Sequence, residues 1–275
     1  ECALYCRYCL RKRMVGDEDW SMQKRELREA LAWIRATPEI RDVLLTGGDP
    51  LIFSDARLEW LLGELRDIPH VDLIRLGTRL PVTLPYRVTD ELCALLARHH
   101  PVWVNTHFNH PREITEAAAQ ACDRLLRAGI PVGNQSVLLR GINDDVAVMK
   151  ELCETLVHIR VRPYYCYQAQ LLEGTAQFRV PIERGMEIFA QLRGRTSGFA
   201  IPSYVLDTPE GKVPLQHPYA RGRDGDHYVV ETPRGSLWRE LNPETSQLPS
   251  ASLQADASVA GSTASVAPLR RPDGS

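Results

Sequence analysis

Three cysteines lie within the first nine residues, and their spacing is C-x3-C-x2-C. A structural zinc site takes four ligands, usually as two spaced pairs, and no fourth Cys or His lies near Cys9 in the sequence. Three thiolates suit a [4Fe–4S] cluster in which one iron has no protein ligand, so that a small molecule can bind that iron. We therefore interpret Cys2, Cys6 and Cys9 as cluster ligands; a zinc site or an inert loop is the alternative.

A glycine-rich stretch, LLTGGDPL, follows about 40 residues later, at positions 44–51. It ends a short apolar run with Gly47, Gly48 and Asp49. Glycines leave the backbone exposed for hydrogen bonds to a ligand. By itself GGDP predicts only a turn capped by Asp49, but its position after the cysteine motif indicates a binding loop.

Strand-like and helix-like segments alternate through the middle of the chain. Strands are predicted at VLL, VDLIRLGT, PVWVNTHF, PVGNQSVLL, VRPYYCYQ and AIPSYVLD, and helices at SDARLEWLLGELRDI, TDELCALLARHH, ITEAAAQACDRLLRAG, DDVAVMKELCETLVHI and IERGMEIFAQLRGRTSG. Ser54 and Thr89 are predicted N-caps, and Gly129 ends a helix. We expect an α/β protein with a (β/α)6-type barrel or partial barrel and chemistry at the carboxyl ends of its strands. An open doubly wound sheet is the alternative.

The composition excludes several classes of protein. The 275 residues are 44% hydrophobic with a net charge of −2, which suits one large domain and argues against nucleic-acid binding. No apolar run reaches the roughly 20 residues that span a bilayer, so no membrane contact is expected, and no secretory signal opens the chain. Cys93, Cys122, Cys153 and Cys166 lie in apolar segments. They are predicted to be buried and reduced, which favours a cytoplasmic protein.

Three regions are predicted along the chain: a core over 1–199, a C-terminal segment with a hairpin over 200–245, and a tail over 246–275. After Asp207 the sequence becomes rich in Gly, Pro and charge, and HYVVETPRGSLWREL predicts a hairpin around residues 233–235. The tail is rich in Ala, Ser and Pro and has no aromatic residue. It buries too little to order itself, so we expect it to be disordered.

CALYCRYC resembles the cluster motif of the radical S-adenosylmethionine (SAM) superfamily, and LLTGGDPL resembles its glycine-rich motif. Longer stretches resemble the lysine 2,3-aminomutase family, namely TRLPVTLPYRVT, THFNHPREIT, AGIPVGNQSVLLRGIND, VRPYYCYQ and LRGRTSGFAIPSYVLDTPEGKVP. The resemblance runs from residue 2 to about residue 214. It implies a partial radical SAM barrel with a C-terminal extension that binds pyridoxal 5′-phosphate (PLP).

The family's chemistry implies three cofactors: a [4Fe–4S] cluster, SAM and PLP. SAM binds the open iron, and one electron from the reduced cluster cleaves it to methionine and a 5′-deoxyadenosyl radical. The radical takes a hydrogen from the β-carbon of an amino acid held on PLP, the nitrogen migrates from the α- to the β-carbon, and the hydrogen returns. The implied partners are an amino acid and a reductant such as flavodoxin or ferredoxin, and a homo-oligomer is left open.

The resemblance also assigns the substrate and PLP residues. Lys212, in EGKVP, matches the catalytic lysine that carries PLP as a Schiff base, although only Gly211 remains of the family's longer glycine run; its plainer interpretation is a solvated turn lysine. Arg11 matches the clamp for the substrate α-carboxylate, and otherwise it is a surface arginine. Asp207 matches a carboxylate that binds the distal amino group of lysine.

The SAM-binding positions of the family fall on Gly47, Gly48, Asp49, His107 and Gln135. Without the family, His107 and Gln135 are polar side chains at strand ends whose hydrogen bonds are satisfied within the protein. The lysine enzyme's second distal carboxylate falls on Gln170, and Asp145 stands where that enzyme has a zinc-binding cysteine. No zinc is therefore expected. The family's first strand and PLP-phosphate arginines lie upstream of the cysteine loop, so we expect an N-terminally incomplete chain that is poorly soluble and holds PLP weakly.

These residues favour an isomerase, a PLP-dependent radical SAM aminomutase that converts L-lysine to β-lysine. One alternative is an aminomutase for another amino acid, such as glutamate or arginine. Another is an enzyme that modifies a protein-bound lysine of a translation elongation factor. The alternative of a different class is an iron–sulfur electron carrier, which would need neither the GGDP loop, His107 and Gln135 nor a PLP lysine.

Overall fold

The computed structural model describes residues 2–11, 23–216 and 218–242. Its strands are β1 (Asp42–Leu45), β2 (Leu73–Gly77), β3 (Val102–Thr106), β4 (Val132–Leu138), β5 (Arg162–Gln168), β6 (Ser203–Thr208), β7 (Gly211–Pro214), β8 (Ala220–Asp224), β9 (His227–Glu231) and β10 (Leu237–Leu241). Its α-helices are α1 (Lys24–Arg35), α2 (Asp55–Arg66), α3 (Leu80–Thr83), α4 (Asp90–Ala97), α5 (Glu116–Arg127), α6 (Val146–His158) and α7 (Ile182–Leu192).

Strands β1 to β7 form one sheet in which spatial order follows chain order. All neighbours from β1 to β6 are parallel, with a helix between each strand and the next. A doubly wound sheet would reverse its order at a switch point, and this sheet does not. The predicted partial barrel is therefore confirmed.

Alternating burial along the strands places the helices on one face of the sheet. In β4 every second residue from Val132 to Leu138 is buried, while the residues between them, which include Gln135, are partly exposed. The predicted apolar stripe of α2, Leu58 to Leu65, is buried in the core. The predicted caps are present, since Ser54 accepts from the Arg57 amide and Thr89 from the Leu92 amide. The helix-free face is left for the site.

The sheet continues beyond the last predicted strand. β7 pairs antiparallel with β6, and Lys212 lies directly across from Asp207 in the register. Gly211 begins β7 with φ +129°, a conformation that favours glycine and lets the chain reverse after Thr208. Lys212 thus lies on a strand rather than in a turn, which fixes its backbone by hydrogen bonds to β6.

The described residues form two compact units: residues 2–11, 23–216 and 218 with Pro233–Gly235, and Tyr219–Thr232 with residues 236–242. The second contains β8, β9 and β10, and the predicted hairpin around residues 233–235 is the antiparallel β9–β10 pair. The predicted tail at 246–275 lies outside the described residues. Within the described ranges, no helix combines the length and hydropathy that crossing a membrane requires.

Candidate active site

A pocket of about 240 Å³ opens at the carboxyl ends of β1 to β4. Seven of the residues predicted for the cluster and SAM line it, namely Cys2, Cys6, Cys9, Gly48, Asp49, His107 and Gln135. Because parallel strands end at the same edge of a sheet, loops that are far apart in the sequence meet there. The pocket thus joins the cysteine loop to the predicted SAM residues.

One thiol of the cysteine loop contacts the barrel, and a second accepts a hydrogen bond from within the loop. Arg79, just after β2, donates from Nη1 to the Cys6 Sγ at 2.8 Å, and the Arg11 amide donates to the Cys9 Sγ at 3.4 Å. Of the residues that the structure describes, no three His, Cys, Asp or Glu side chains are grouped to hold a single metal ion. A [4Fe–4S] cube requires no such convergence, because each cysteine binds a different iron.

Asp49 ties the loop after β1 to the loop after β2. Its carboxylate accepts from the Thr78 hydroxyl and the Arg79 amide, both at 2.7 Å, and from the Leu51 amide at 3.2 Å. Burial raises the pKa of this carboxyl group, and the three hydrogen bonds oppose that rise. The geometry therefore supports the structural interpretation of Asp49, which fixes where the glycine loop lies relative to β2.

His107 has protein partners at both ring nitrogens. Nδ1 lies 2.5 Å from the backbone carbonyl oxygen of Gln135, to which it donates. Nε2 accepts from the Tyr8 hydroxyl and from the side-chain Nδ2 of Asn109, each at 3.0 Å. This network assigns the Nδ1–H tautomer. Burial, with Arg79 nearby, lowers the pKa of His107 to about 4. The imidazole is therefore neutral near pH 7.

Arg11 approaches the glycine loop. Its Nη1 lies 3.2 Å from the position that a Cβ at Gly47 would take, and Gly47 has φ +132°. The positive φ favours glycine at this position, whereas the guanidinium is the end of a flexible side chain and could move aside. Neither residue lines the pocket itself.

The three remaining predicted residues form a second group. The Lys212 Nζ lies 3.7 Å from an Asp207 carboxylate oxygen, and the Gln170 amide donates to the other oxygen at 3.4 Å. The side chains of Lys212 and Asp207 are 43% and 38% exposed. Solvent screens such a pair, so its geometry rather than its energy is informative. A lysine, a carboxylate and an amide from three different segments meet here.

The family comparison decides the superfamily. The Radical SAM superfamily matches residues 1–153, more than half of the chain. The chain belongs to the radical SAM superfamily. The superfamily predicted from the cysteine motif and the GGDP loop is thus confirmed, and with it the [4Fe–4S] cluster and SAM as cofactors.

Curated relatives extend the similarity to aminomutases. The L-lysine 2,3-aminomutase of Bacillus subtilis (strain 168) is 50% identical over 246 residues, which are 89% of this chain and 52% of that protein. The glutamate 2,3-aminomutase of Clostridioides difficile (strain 630) is 48% identical over 239 residues, 86% of this chain and 57% of that protein. The chain spans little more than half the length of these relatives. The predicted resemblance to the aminomutase family is confirmed.

A solved structure supports the fold. SuiB from Streptococcus suis, crystallised with S-adenosylmethionine, matches with a TM-score of 0.56 at 11% identity, over 75% of this chain and 48% of that chain. At this identity the likeness concerns the fold alone. It agrees with the partial radical SAM barrel.

The residues of the pocket fit a cluster and SAM. Three cysteines on one loop supply the donor set, and none of the three is in a disulfide. Thr106 is fully buried, its hydroxyl has no hydrogen-bond partner, and the residue lines the pocket. A polar ligand in the pocket would satisfy that hydroxyl.

Sequence reasoning missed the residues that hold this site together. Arg79, Tyr8, Asn109 and Glu113 are partners of Cys6 and His107 either directly or through one another. The Arg79 Nη2 donates to the Glu113 Oε1 at 2.7 Å, and the Glu113 Oε2 accepts from the backbone amide of Asn109 at 2.6 Å. The THFNHP and TRLP motifs contain Asn109 and Arg79, but their partners in the cysteine loop, Tyr8 and Cys6, lie too far away in sequence for the motifs to reveal them.

Proposed function

We propose that this protein is an isomerase, a PLP-dependent radical SAM aminomutase whose substrate is L-lysine. The observation that supports this most strongly is the 50% identity to a lysine 2,3-aminomutase, which extends over 246 of the 275 residues. The electron carrier needs only a cluster loop. It gives no reason for a second polar group built from Gln170, Asp207 and Lys212.

In this proposal Cys2, Cys6 and Cys9 hold the cluster, and Gly47, Gly48, Asp49, His107 and Gln135 form the SAM site. The bound cofactors supply a 5′-deoxyadenosyl radical. The chain would position them: Asp49 fixes the glycine loop against β2, and the neutral His107 would add no positive charge to a site that holds a cationic ligand.

Lys212 is the proposed PLP lysine. Asp207 holds its ammonium group in the described geometry, so the amine must leave this ion pair and lose a proton before it can act as a nucleophile. Freed from Lys212, the Asp207 carboxylate is available for another cation. That cation, in our proposal, is the distal ammonium of the substrate, while Arg11 binds the α-carboxylate.

The charge of Asp207 favours lysine over glutamate as substrate. A second carboxylate beside Asp207 would repel it, whereas an ammonium group would replace Lys212 as its partner. Gln170 donates to Asp207 and adds no charge. Where the lysine enzyme has a second carboxylate here, this chain has only an amide, so we expect selection for lysine to be weaker.

Glutamate is the second candidate, because Gln170 lowers the negative charge of the site and a glutamate 2,3-aminomutase is 48% identical. The test is product analysis by mass spectrometry after anaerobic, reducing incubation with lysine, arginine, ornithine or glutamate. We expect β-lysine as the main product, with higher selectivity for lysine in Gln170→Asp and loss of selectivity in Asp207→Asn. Turnover of glutamate without turnover of lysine would overturn the substrate while leaving the reaction class intact.

Three further features of the whole protein belong to the same proposal. A flavodoxin or ferredoxin supplies the electron, because SAM cleavage consumes one electron from the cluster. The protein acts in the cytoplasm, where four buried thiols, at Cys93, Cys122, Cys153 and Cys166, remain reduced. No zinc site is proposed at the start of α6, because Asp145 stands where the lysine enzyme has a zinc-binding cysteine and its carboxylate caps the helix.

A further inference from the structure

Asn109 lies where four segments meet, and it is only 2% exposed. Its Nδ2 donates to the Tyr8 hydroxyl at 2.6 Å and to the His107 Nε2 at 3.0 Å. Its Oδ1 accepts from the Val137 amide at 2.7 Å. Its side chain therefore joins the cysteine loop, the end of β3 and strand β4.

The backbone of Asn109 is held as firmly as its side chain. Its backbone amide donates to the Glu113 Oε2 at 2.6 Å, and its backbone carbonyl accepts from the Asn143 side-chain Nδ2 at 2.8 Å. Glu113 in turn binds Arg79, which contacts the Cys6 thiol. With both donors and all acceptor groups engaged, Asn109 has one orientation that satisfies every partner.

The direction of these hydrogen bonds matters more than their number. The Asn109 amide nitrogen can only donate, so the His107 Nε2 facing it must be an acceptor and the ring proton must lie on Nδ1. The same nitrogen donates to the Tyr8 oxygen, which leaves the Tyr8 hydroxyl hydrogen free to point at the same Nε2. Asn109 thus sets the orientation of Tyr8, and it acts with the Gln135 carbonyl at Nδ1 to hold the tautomer of His107.

We propose that Asn109 is a positioning residue that docks the cysteine loop on the barrel through Tyr8 and, together with the Gln135 carbonyl at Nδ1, holds His107 as its Nδ1–H tautomer. Because both nitrogens of His107 are engaged by the protein, this network holds the ring in one orientation against the pocket. The inference rests on the cluster and SAM site proposed above, but the tautomer of His107 can be measured in the chain without either cofactor.

The substitution that tests this is Asn109→Asp, which keeps the shape and the Oδ1 acceptor for Val137 but replaces the donating nitrogen by an acceptor. The matched control is Asn134→Asp. Asn134 is equally buried, at 2%, and also bridges two segments, through the backbone of Phe108, yet it contacts neither Tyr8 nor His107. The control therefore measures the general cost of a buried carboxylate.

The first readout is the pair of ¹⁵N chemical shifts of the His107 ring, assigned with a His107→Gln variant. Wild type and Asn134→Asp should show Nδ1 protonated and Nε2 unprotonated, whereas Asn109→Asp should gain a proton on Nε2. The second is the iron retained after anaerobic reconstitution and desalting, and the third is the Kd for SAM. In Asn109→Asp the retained iron should fall and the Kd should rise roughly fivefold to tenfold, because Tyr8 and His107 must reorient around a buried carboxylate oxygen where they faced a donor.

If Asn109→Asp does not fold, Tyr8→Phe carries the test. This variant should keep the His107 tautomer, because Asn109 still donates to Nε2, while the retained iron and the SAM affinity fall. Unchanged ring shifts in a folded Asn109→Asp, equal losses in Asn109→Asp and Asn134→Asp, or full iron retention in Tyr8→Phe would each overturn the inference. A wild type that binds no iron but shows the predicted ring shifts would instead contradict the proposed function.

Discussion

At the scale of single residues, the site depends on groups whose charge is set by burial. His107 is the clearest example, because its ring is enclosed by Tyr8, Asn109 and the Gln135 carbonyl and carries no charge near pH 7. Protonating it would leave a cation near Arg79 and remove the acceptor that Tyr8 and Asn109 use. The network tolerates only the neutral ring.

The lowered pKa of His107 makes the stability of the fold depend on pH. The pKa of His107 is about 4 in the folded chain and near its usual 6.5 in the unfolded chain. Between these values the unfolded chain binds a proton that the folded chain does not, so stability is full above about 6.5 and falls as the pH drops toward 4. Urea unfolding between about pH 4.5 and 7.5 measures this. His107→Gln should flatten the dependence, and an unchanged slope in that variant would contradict it.

The second residue-scale prediction concerns Lys212. Lys212→Ala should lose the PLP that borohydride fixes covalently to the wild-type chain, while its iron content stays unchanged, because Lys212 lies outside the cluster pocket. Lys150→Ala is the matched control, since Lys150 is on α6 and pairs with Glu154. Mass spectrometry of the reduced, digested protein reports the modified lysine. A fixed PLP in Lys212→Ala would assign the cofactor to another lysine.

The sequence alone predicts the site residues that belong to motifs. It does not predict those that are recognised only by a contact with a residue far away in the chain. The cysteines, GGDP and His107 stand in short recognisable stretches, and the pocket brings them together. Tyr8 and Asn109 are 101 residues apart in the chain, and nothing local to either indicates the contact. Likewise the meeting of Lys212 with Asp207 depends on the register of β6 and β7.

At the scale of elements, the packing of α7 against β6 depends on one glycine. A Cβ at Gly185 would lie 2.3 Å from the Tyr204 hydroxyl oxygen. Tyr204 is 2% exposed and donates to the Gln168 side chain at the end of β5, so it has little room to move. Helix, strand and the neighbouring strand are therefore held in register around this contact.

Gly185→Ala should accordingly destabilise the protein. A glycine-to-alanine change within a helix ordinarily adds a few tenths to about 1 kcal/mol of stability. Here overpacking should reverse the sign and cost about 1–3 kcal/mol. Gly198→Ala is the control, because nothing lies within 4 Å of its added methyl group. Chemical denaturation measures both, and a Gly185→Ala as stable as wild type would show that Tyr204 can move aside.

Periodicity predicted the long elements and failed for the short ones. α2, α4, α5 and α6 carry apolar residues at helical spacing, and those residues are buried. α7 was expected to continue to residue 198 but ends at Leu192, because Arg193 is extended and Gly194 has φ +74°. β7 is four exposed residues with no apolar alternation, so the sequence carried no signal for it.

At the scale of the whole molecule, sequential winding of the sheet gathers the chemistry at one edge. Each βα unit places one loop at the carboxyl end of its strand, and loops after β1, β2 and β3 supply Asp49, Arg79 and Asn109. Asp49 accepts from the Arg79 amide, while Arg79 and Asn109 donate to Cys6 and Tyr8 of the cysteine loop. The site is thus a product of topology, and no single unit of the barrel contains it.

The central claim is that the cysteine loop and this edge of the barrel form a working radical SAM centre. Reductive cleavage of SAM tests it most directly, measured as 5′-deoxyadenosine per chain after anaerobic reconstitution and reduction. Wild type should cleave SAM, and Cys2→Ala, Cys6→Ala and Cys9→Ala should each lose both iron and cleavage, because no fourth protein ligand replaces a lost thiolate. Cys93→Ala, which removes a buried thiol in α4, should retain both. Cleavage that persists in any of the three loop variants would contradict the claim.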